Sequence, residues 1–437
     1  MEARLERKSS DASVLDLSNS GVRAKLRPLV ITVAFLLFFV SVAGVFLMLP
    51  LGRSGRVDFR TFYTVGYMAR TGHGAQINDP ARCQEFQNNL VGPVEGLLPF
   101  NHLAYESLVY VPFSYFRYQY AYFLFLAVNL IVLAGIVQIL RPLVSALADI
   151  WSLLPLAIVV CFLPTAMALI EGQDSLLLLL LFVASTAATY KQNDFKAGAL
   201  LGFSLFKFQY ALPVALLFMV WKRWNFLRGF VLSGAIVFAI SLWLTGLSGV
   251  LSYFHSIADI SAKYSSANGV LYGIHPEGMP NLRGIAYVLT GGSASITHWI
   301  VMIGSAVIMV WSALKRPSLP GALLTALLVS YHQVIADTSL LALPAGLVLA
   351  GSLTDLRTPR SKIAPLLACL ALVGPTVLLF LGTRFYLLAL PVAALFVVWD
   401  WDTPSPKDVN VAGSRQQTDT NLALDPTAGV QGPACGI

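Results

Sequence analysis

The chain has 437 residues, 57% of them hydrophobic and only 12% charged, about half the charge of an ordinary soluble domain. Water is therefore not its main solvent, and a soluble globular fold is excluded. The net charge of +7 sits in short loops between apolar runs, with no basic face carrying interleaved aromatics, so it marks membrane topology and argues against a nucleic-acid partner.

At the start, Arg4, Arg7, Lys8, Arg23, Lys25 and Arg27 precede the apolar stretch Leu29 to Leu51. That stretch is too long for a secretion signal, and no small-residue cleavage site follows it. Residues 1–28 are expected to be a basic cytoplasmic N-terminus and 29–51 an uncleaved span. Further apolar runs occupy 119–140, 151–170, 175–190, 197–221, 229–248, 296–314, 319–352, 363–382 and 385–400, most of them suited to crossing about 30 Å of hydrocarbon. With 103–117 as a short interfacial or spanning helix, the expectation is an all-α polytopic bundle of about 10 to 13 membrane segments. The membrane domain would cover 29–400, with outer loops 52–118 and 249–295 and amphipathic helices within them. The polar, aperiodic tail 401–437 reads as a disordered cytoplasmic extension.

The basic loops carry Arg141, then Lys191 and Lys196, then Lys222, Arg223 and Arg228, then Lys315 and Arg316, then Arg357, Arg360 and Lys362. If all are cytoplasmic, runs 197–221 and 319–352 begin and end on the same side and must return. Each carries a break: Lys207 to Pro213 (KFQYALP) and Ser330 to Asp337 (SYHQVIAD). Broken backbone at membrane depth survives only inside protein or along a wet cavity. The competing reading makes 197–221 one ordinary span.

Charge at membrane depth costs about 2.5–3.5 kcal/mol, so the few charges placed there point to function. In Arg56 to Tyr67 (RVDFRTFYTVGY), Phe59, Phe62, Tyr63 and Gly66 form a helical stripe beside Asp58. This reads as an amphipathic helix on the outer interface, with Asp58 at the mouth of the bundle or in a salt bridge to Arg56 or Arg60. Glu171, Gln173 and Asp174 (EGQDS) face the same side, where turn and cap chemistry would explain them equally well. His332 and Asp337 are poorly spaced for joint ligation on one helix, and Cys83, Cys161, Cys369 and Cys435 form no ligand pattern, so no metal site is expected. Asp58 with the cations Lys207, Arg283, His332 and Arg384 pairs a base with an anion site. Since no G-x-x-x-x-G-K-[ST] loop is present, an activated donor would arrive within the membrane.

Five stretches carry a family resemblance: DFRTFYTVG from Asp58, GQDSL from Gly172, GALLGFSLFKFQYALP from Gly198, PNLRG from Pro280 and YHQVIADTSLLALP from Tyr331. In this order they resemble the GT-C class of glycosyltransferases, specifically glycosyltransferase family 87, which includes polyprenyl-phosphate-mannose-dependent mannosyltransferases. The chain departs from the family's pattern at Phe208, where Pro often follows the lysine, and at Asp174, where Asn is favoured. The resemblance implies an inner-membrane enzyme that works on the periplasmic face without metal or cofactor. It would transfer a hexose or pentose, mannose foremost, with inversion, from a polyprenyl-phosphate donor to a glycolipid or polysaccharide hydroxyl. It further implies Asp58 as catalytic base, Lys207, Arg283 and His332 around the donor phosphate, and Tyr63, Gln173, Asp174 and Asp337 at the sugar and acceptor site. From the residues alone, a transporter or flippase, or a silent polyprenyl-lipid-binding scaffold, stays open.

Overall fold

The computed structural model describes residues 2–93, 98–263, 276–354 and 359–399; the tail expected to be disordered lies outside them. Among these residues every regular element is helical. Seven helices are long and apolar enough to cross a membrane, one further candidate is a bent pair, and three are shorter apolar helices.

The first candidate span is the Ala24–Arg53 part of helix α1 (Glu2–Arg53). Beside its end pack α2 (Phe59–Arg70), α3 (Pro80–Leu90) and the single turn α4 (Ser107–Tyr110), ahead of α5 (Tyr118–Leu140). The run 103–117 does not make one helix: it is divided into two 3-10 turns and α4, with Pro112 unable to donate a backbone hydrogen bond. The stripe expected in α2 is present, but the helix does not lie on an interface, since nine of its 12 residues are buried. Phe59 packs among Phe113, Tyr118, Tyr122 and Phe125, and Phe62 stacks on Tyr110 at 4.8 Å. Gly66 permits this approach, because a Cβ there would lie 2.6 Å from the Tyr110 carbonyl oxygen.

After the short α6 (Ser145–Ala148), α7 (Leu154–Val160) and α8 (Leu163–Glu171) meet at 50°. Pro164 has no N–H to extend α7, and extended Phe162 makes the corner. α9 (Ser175–Tyr190) leads to α10 (Asp194–Gly202), a 3-10 segment Phe203–Lys207, and α11 (Phe208–Val220). Laid straight, Asp194–Val220 would be a rod of about 40 Å. Yet Arg223, just beyond α11, holds Asp194 at 2.6 Å. Ends joined by one ion pair belong to a hairpin, so the run returns. Its reversal is at Lys207, whose φ −110° and ψ 65° are not helical, while Pro213 is accommodated inside α11.

Helix α12 (Trp224–Lys263) packs along α10 through glycine contacts: a Cβ on Gly198 would sit 1.8 Å from the Phe226 carbonyl oxygen. After α13 (Leu282–Leu289) and α14 (Ala294–Ala313), the second broken run divides into α15 (Leu319–Val329), a non-helical stretch 330–334, a 3-10 segment Ile335–Leu341, and α16 (Ala342–Thr354). Thr325 of α15 bonds Ser312 near the end of α14 at 2.7 Å. A Cβ on Gly346 of α16 would meet Val144, just past α5, at 3.6 Å. Both arms of this run therefore head back toward the basic loops. α17 (Pro359–Phe380) and α18 (Ala389–Val398) complete the bundle. Trp221 donates to the Ala313 carbonyl at 3.2 Å, which brings the Lys222–Arg223 and Lys315–Arg316 loops to one end.

Candidate active site

The tips of both hairpins meet α2 and the loop 98–102 around a cavity of about 130 Å³. Asp58 stands at its wall, at the start of α2, and its side chain makes no capping hydrogen bond to that helix. Gln173 Nε2 donates to its Oδ2 instead. The alternative of a salt bridge to Arg60 does not hold, because buried Arg60 is spent on neutral acceptors: Gln87 Oε1 at 3.2 Å, Asn88 Oδ1 at 2.9 Å and the carbonyls of Gly55 and Gly92. Among the described residues no cation lies within ion-pair distance of Asp58. Burial raises its pKa, opposed by the Lys207 charge and the Gln173 hydrogen bond. The result is a carboxylate that is fixed in direction and easily protonated.

Gln173 is aimed at Asp58 by the turn before it. Gly172 closes α8 in the left-handed conformation (φ 65°), where a Cβ would lie 2.5 Å from Phe59 Cβ. Asp174, by contrast, does not cap α9. It pairs with Lys207, whose Nζ lies 2.6 Å from Asp174 Oδ1 and 2.5 Å from Asp337 Oδ1. Lys207 Nζ also donates to Ser175 Oγ at 3.1 Å, which itself donates to Asp337 Oδ1 at 2.6 Å. Tyr210 donates to Asp337 Oδ2 at 2.9 Å. The ammonium thus faces two carboxylates and one hydroxyl.

A second titratable pair adjoins this clasp. His102 Nδ1 lies 2.5 Å from Glu106 Oε2 and 3.3 Å from Asp174 Oδ2. Burial disfavours the imidazolium, but Glu106 and Asp174 outweigh it and raise the His102 pKa. Burial drives the Glu106 carboxyl up to about 7. His102, Glu106 and Asp174 bring ligand atoms within 4.8 Å of one another, yet the Lys207 ammonium already stands against Asp174, where a metal would compete with it. His332 stands on the same cavity wall.

Of the residues singled out from sequence, Asp58, Gln173, Lys207, His332 and Asp337 line one cavity, and Asp174 lies buried behind it on Lys207. Tyr63 does not line it; its hydroxyl donates to the Phe116 carbonyl at 2.9 Å inside the aromatic cluster. Arg283 stands behind the wall, donating to the Tyr331 carbonyl at 2.8 Å, and Arg384 is exposed elsewhere. Sequence reading missed His102 and Glu106, whose four-residue spacing in HLAYE was the available signal. It also missed Asn101 and Gln209.

Fold and cavity together define a multi-pass helical membrane protein with a buried acid–base site. The profile of glycosyltransferase family 87 matches residues 106–344, more than half of the chain. The chain belongs to that family and is a membrane glycosyltransferase. No curated protein and no solved structure matches it. Gln173, Lys207, His332 and Asp337 fall within the matched stretch, and Asp58 precedes it.

Proposed function

We propose that this glycosyltransferase is a GT-C-type enzyme that takes a sugar from a polyprenyl-phosphate donor, mannose or another hexose or pentose, and passes it with inversion to a hydroxyl of a glycolipid or polysaccharide acceptor. Asp58 accepts the proton of the acceptor hydroxyl, whose oxygen bonds to the anomeric carbon. The bond from that carbon to the phosphate oxygen breaks, and polyprenyl phosphate departs with the electron pair. A nearby carboxylate also favours the oxocarbenium character of such a transition state. No general acid and no metal are needed, since phosphate leaves without protonation. The single observation that carries this reading is a half-buried carboxylate on the cavity wall, held by a neutral amide and, among the described residues, within ion-pair distance of no cation.

Lys207 and His332 take the phosphate. The longest of the three Lys207 contacts, to Ser175, can be given up at least cost, because the Ser175 hydroxyl keeps its own bond to Asp337. Arg283 adds positive charge from behind Tyr331, while Gln173, Asp174 and Asp337 shape the sugar and acceptor side through Asp58 and Lys207. The cavity faces the periplasm in this reading, away from the basic loops, and both termini lie in the cytoplasm of an inner-membrane protein.

The test is transfer from radiolabelled polyprenyl-phosphate sugars in proteoliposomes. Wild type should yield a new glycosidic product, and Asp58→Asn should lose about 10²- to 10⁴-fold in rate while staying folded. Near-normal turnover by Asp58→Asn would remove it from the mechanism. Donor binding without product would leave the silent scaffold as the reading.

A further inference from the structure

Two carboxamides on the cavity wall have no hydrogen-bond partner among the described residues, and both are held by anchored neighbours. The loop 98–102 is pinned through its backbone carbonyls. Leu98 O accepts from Thr61 Oγ1 at 3.1 Å and Gln87 Nε2 at 2.8 Å, and Asn78 Nδ2 reaches the carbonyls of Phe100 at 3.1 Å and His102 at 3.2 Å. Asn101 lies between the two clamped carbonyls, yet its own buried Oδ1 accepts nothing. Across the chain, Gln209 repeats the arrangement. Lys207 before it and Tyr210 after it are both locked onto Asp337, while the Gln209 side chain, 9% exposed, lines the same cavity uncommitted.

Leaving a buried polar group unpaired costs about 1–3 kcal/mol, and native proteins pair nearly all of theirs. A rigid loop that holds an unpaired amide toward a cavity is suited to a ligand that supplies the missing partner. A carboxamide offers one acceptor and two donors, which matches adjacent hydroxyls that each donate and accept. Phe62 and Phe100 supply apolar surface on the same wall, which the C–H face of a sugar ring requires.

We propose that Asn101 and Gln209 are the hydroxyl-reading pair of this site and bind the sugar ring. The assignment rests on the reading of the chain as a lipid-linked sugar transferase and adds its specificity determinants. The ring is either the one transferred or the acceptor's own.

The experiment compares full-length Asp58→Asn protein in nanodiscs with the same protein also carrying Asn101→Ala or Gln209→Ala. Binding is measured for polyprenyl-phosphate mannose and for polyprenyl phosphate without sugar, and acceptor KM is measured in the Asp58 background. If the pair holds the donor sugar, each substitution weakens the sugar-bearing lipid about 10- to 100-fold and leaves the bare phosphate lipid unchanged. If it holds the acceptor, donor binding stays and acceptor KM rises by a similar factor. In either case the melting temperature does not fall, because neither amide supports the fold. Unchanged donor affinity and acceptor KM would overturn the inference alone. Failure of the unsubstituted protein to bind or use any lipid-linked sugar would overturn the proposed function first, and this assignment with it.

Discussion

The Lys207 ammonium stands 2.5 Å from Asp337 Oδ1, and the two residues come from the tips of separate hairpins. With Asp174 on the same nitrogen, one cation holds two buried carboxylates. Substituting Lys207 by Met strands both acids, and breaking a buried pair in this way costs about 3–5 kcal/mol. The melting temperature in detergent should fall sharply and transfer should be lost. Asp337→Asn keeps the Asp174 pair and should lose less. A Lys207→Met protein as stable as wild type would show that the clasp does not hold the tips together.

The acid limb of the pH–rate profile should belong to Asp58. Its pKa is raised by burial, so the base is lost on acidification at a higher pH than for an ordinary carboxylate, and turnover should climb as the group ionises. The Gln173 hydrogen bond favours the ionised form. Gln173→Leu should therefore move this limb to higher pH and lower the plateau several-fold. A limb that stays in place would detach Gln173 from the base.

In the proposed mechanism His332 meets the donor phosphate as a neutral hydrogen-bonding group. The profile of His332→Asn should run parallel to wild type between about pH 5 and 8, with a uniform loss of about tenfold for one weakened hydrogen bond. A limb that vanishes on substitution would mean that the imidazolium takes part.

Gly172→Ala tests the turn that aims Gln173. The new methyl would sit in left-handed backbone at φ 65° and 2.5 Å from Phe59 Cβ, a strain of about 1–3 kcal/mol. Activity should fall further than stability, because the displaced groups are the amide and the base it orients. Circular dichroism melts beside transfer rates would separate the two.

The membrane runs were legible because length and hydropathy alone decide a span, whereas the hairpins were left open, since Lys191 and Arg223 lie on one side of the membrane only if 197–221 comes back and the sequence also allows one ordinary span. The Asp194–Arg223 pair decides for the return. Asp174 was not legible: as part of EGQDS it reads equally as a helix cap, and only the fold brings Lys207 to it. The burial of α2 was also hidden, since an amphipathic stripe looks the same on an interface and under the aromatic cover of Phe113 and Phe125. Tyr63 and Arg283 carried the right chemistry in the right order, but backbone carbonyls at Phe116 and Tyr331 claim them. Asn101 and Gln209 stand out only by lacking partners among the described residues, a property that no sequence displays.

The clasp also sets the order of biogenesis. Lys207 enters the bilayer with Asp174 already beside it, but its second acid is 130 positions downstream. Until residue 337 is threaded, the first hairpin carries a half-matched charge that lipid disfavours, and the cavity lacks one of its lining side chains. A chain halted before that point carries the lysine with one acid only and is expected to be less stable in the bilayer than one that reaches Asp337.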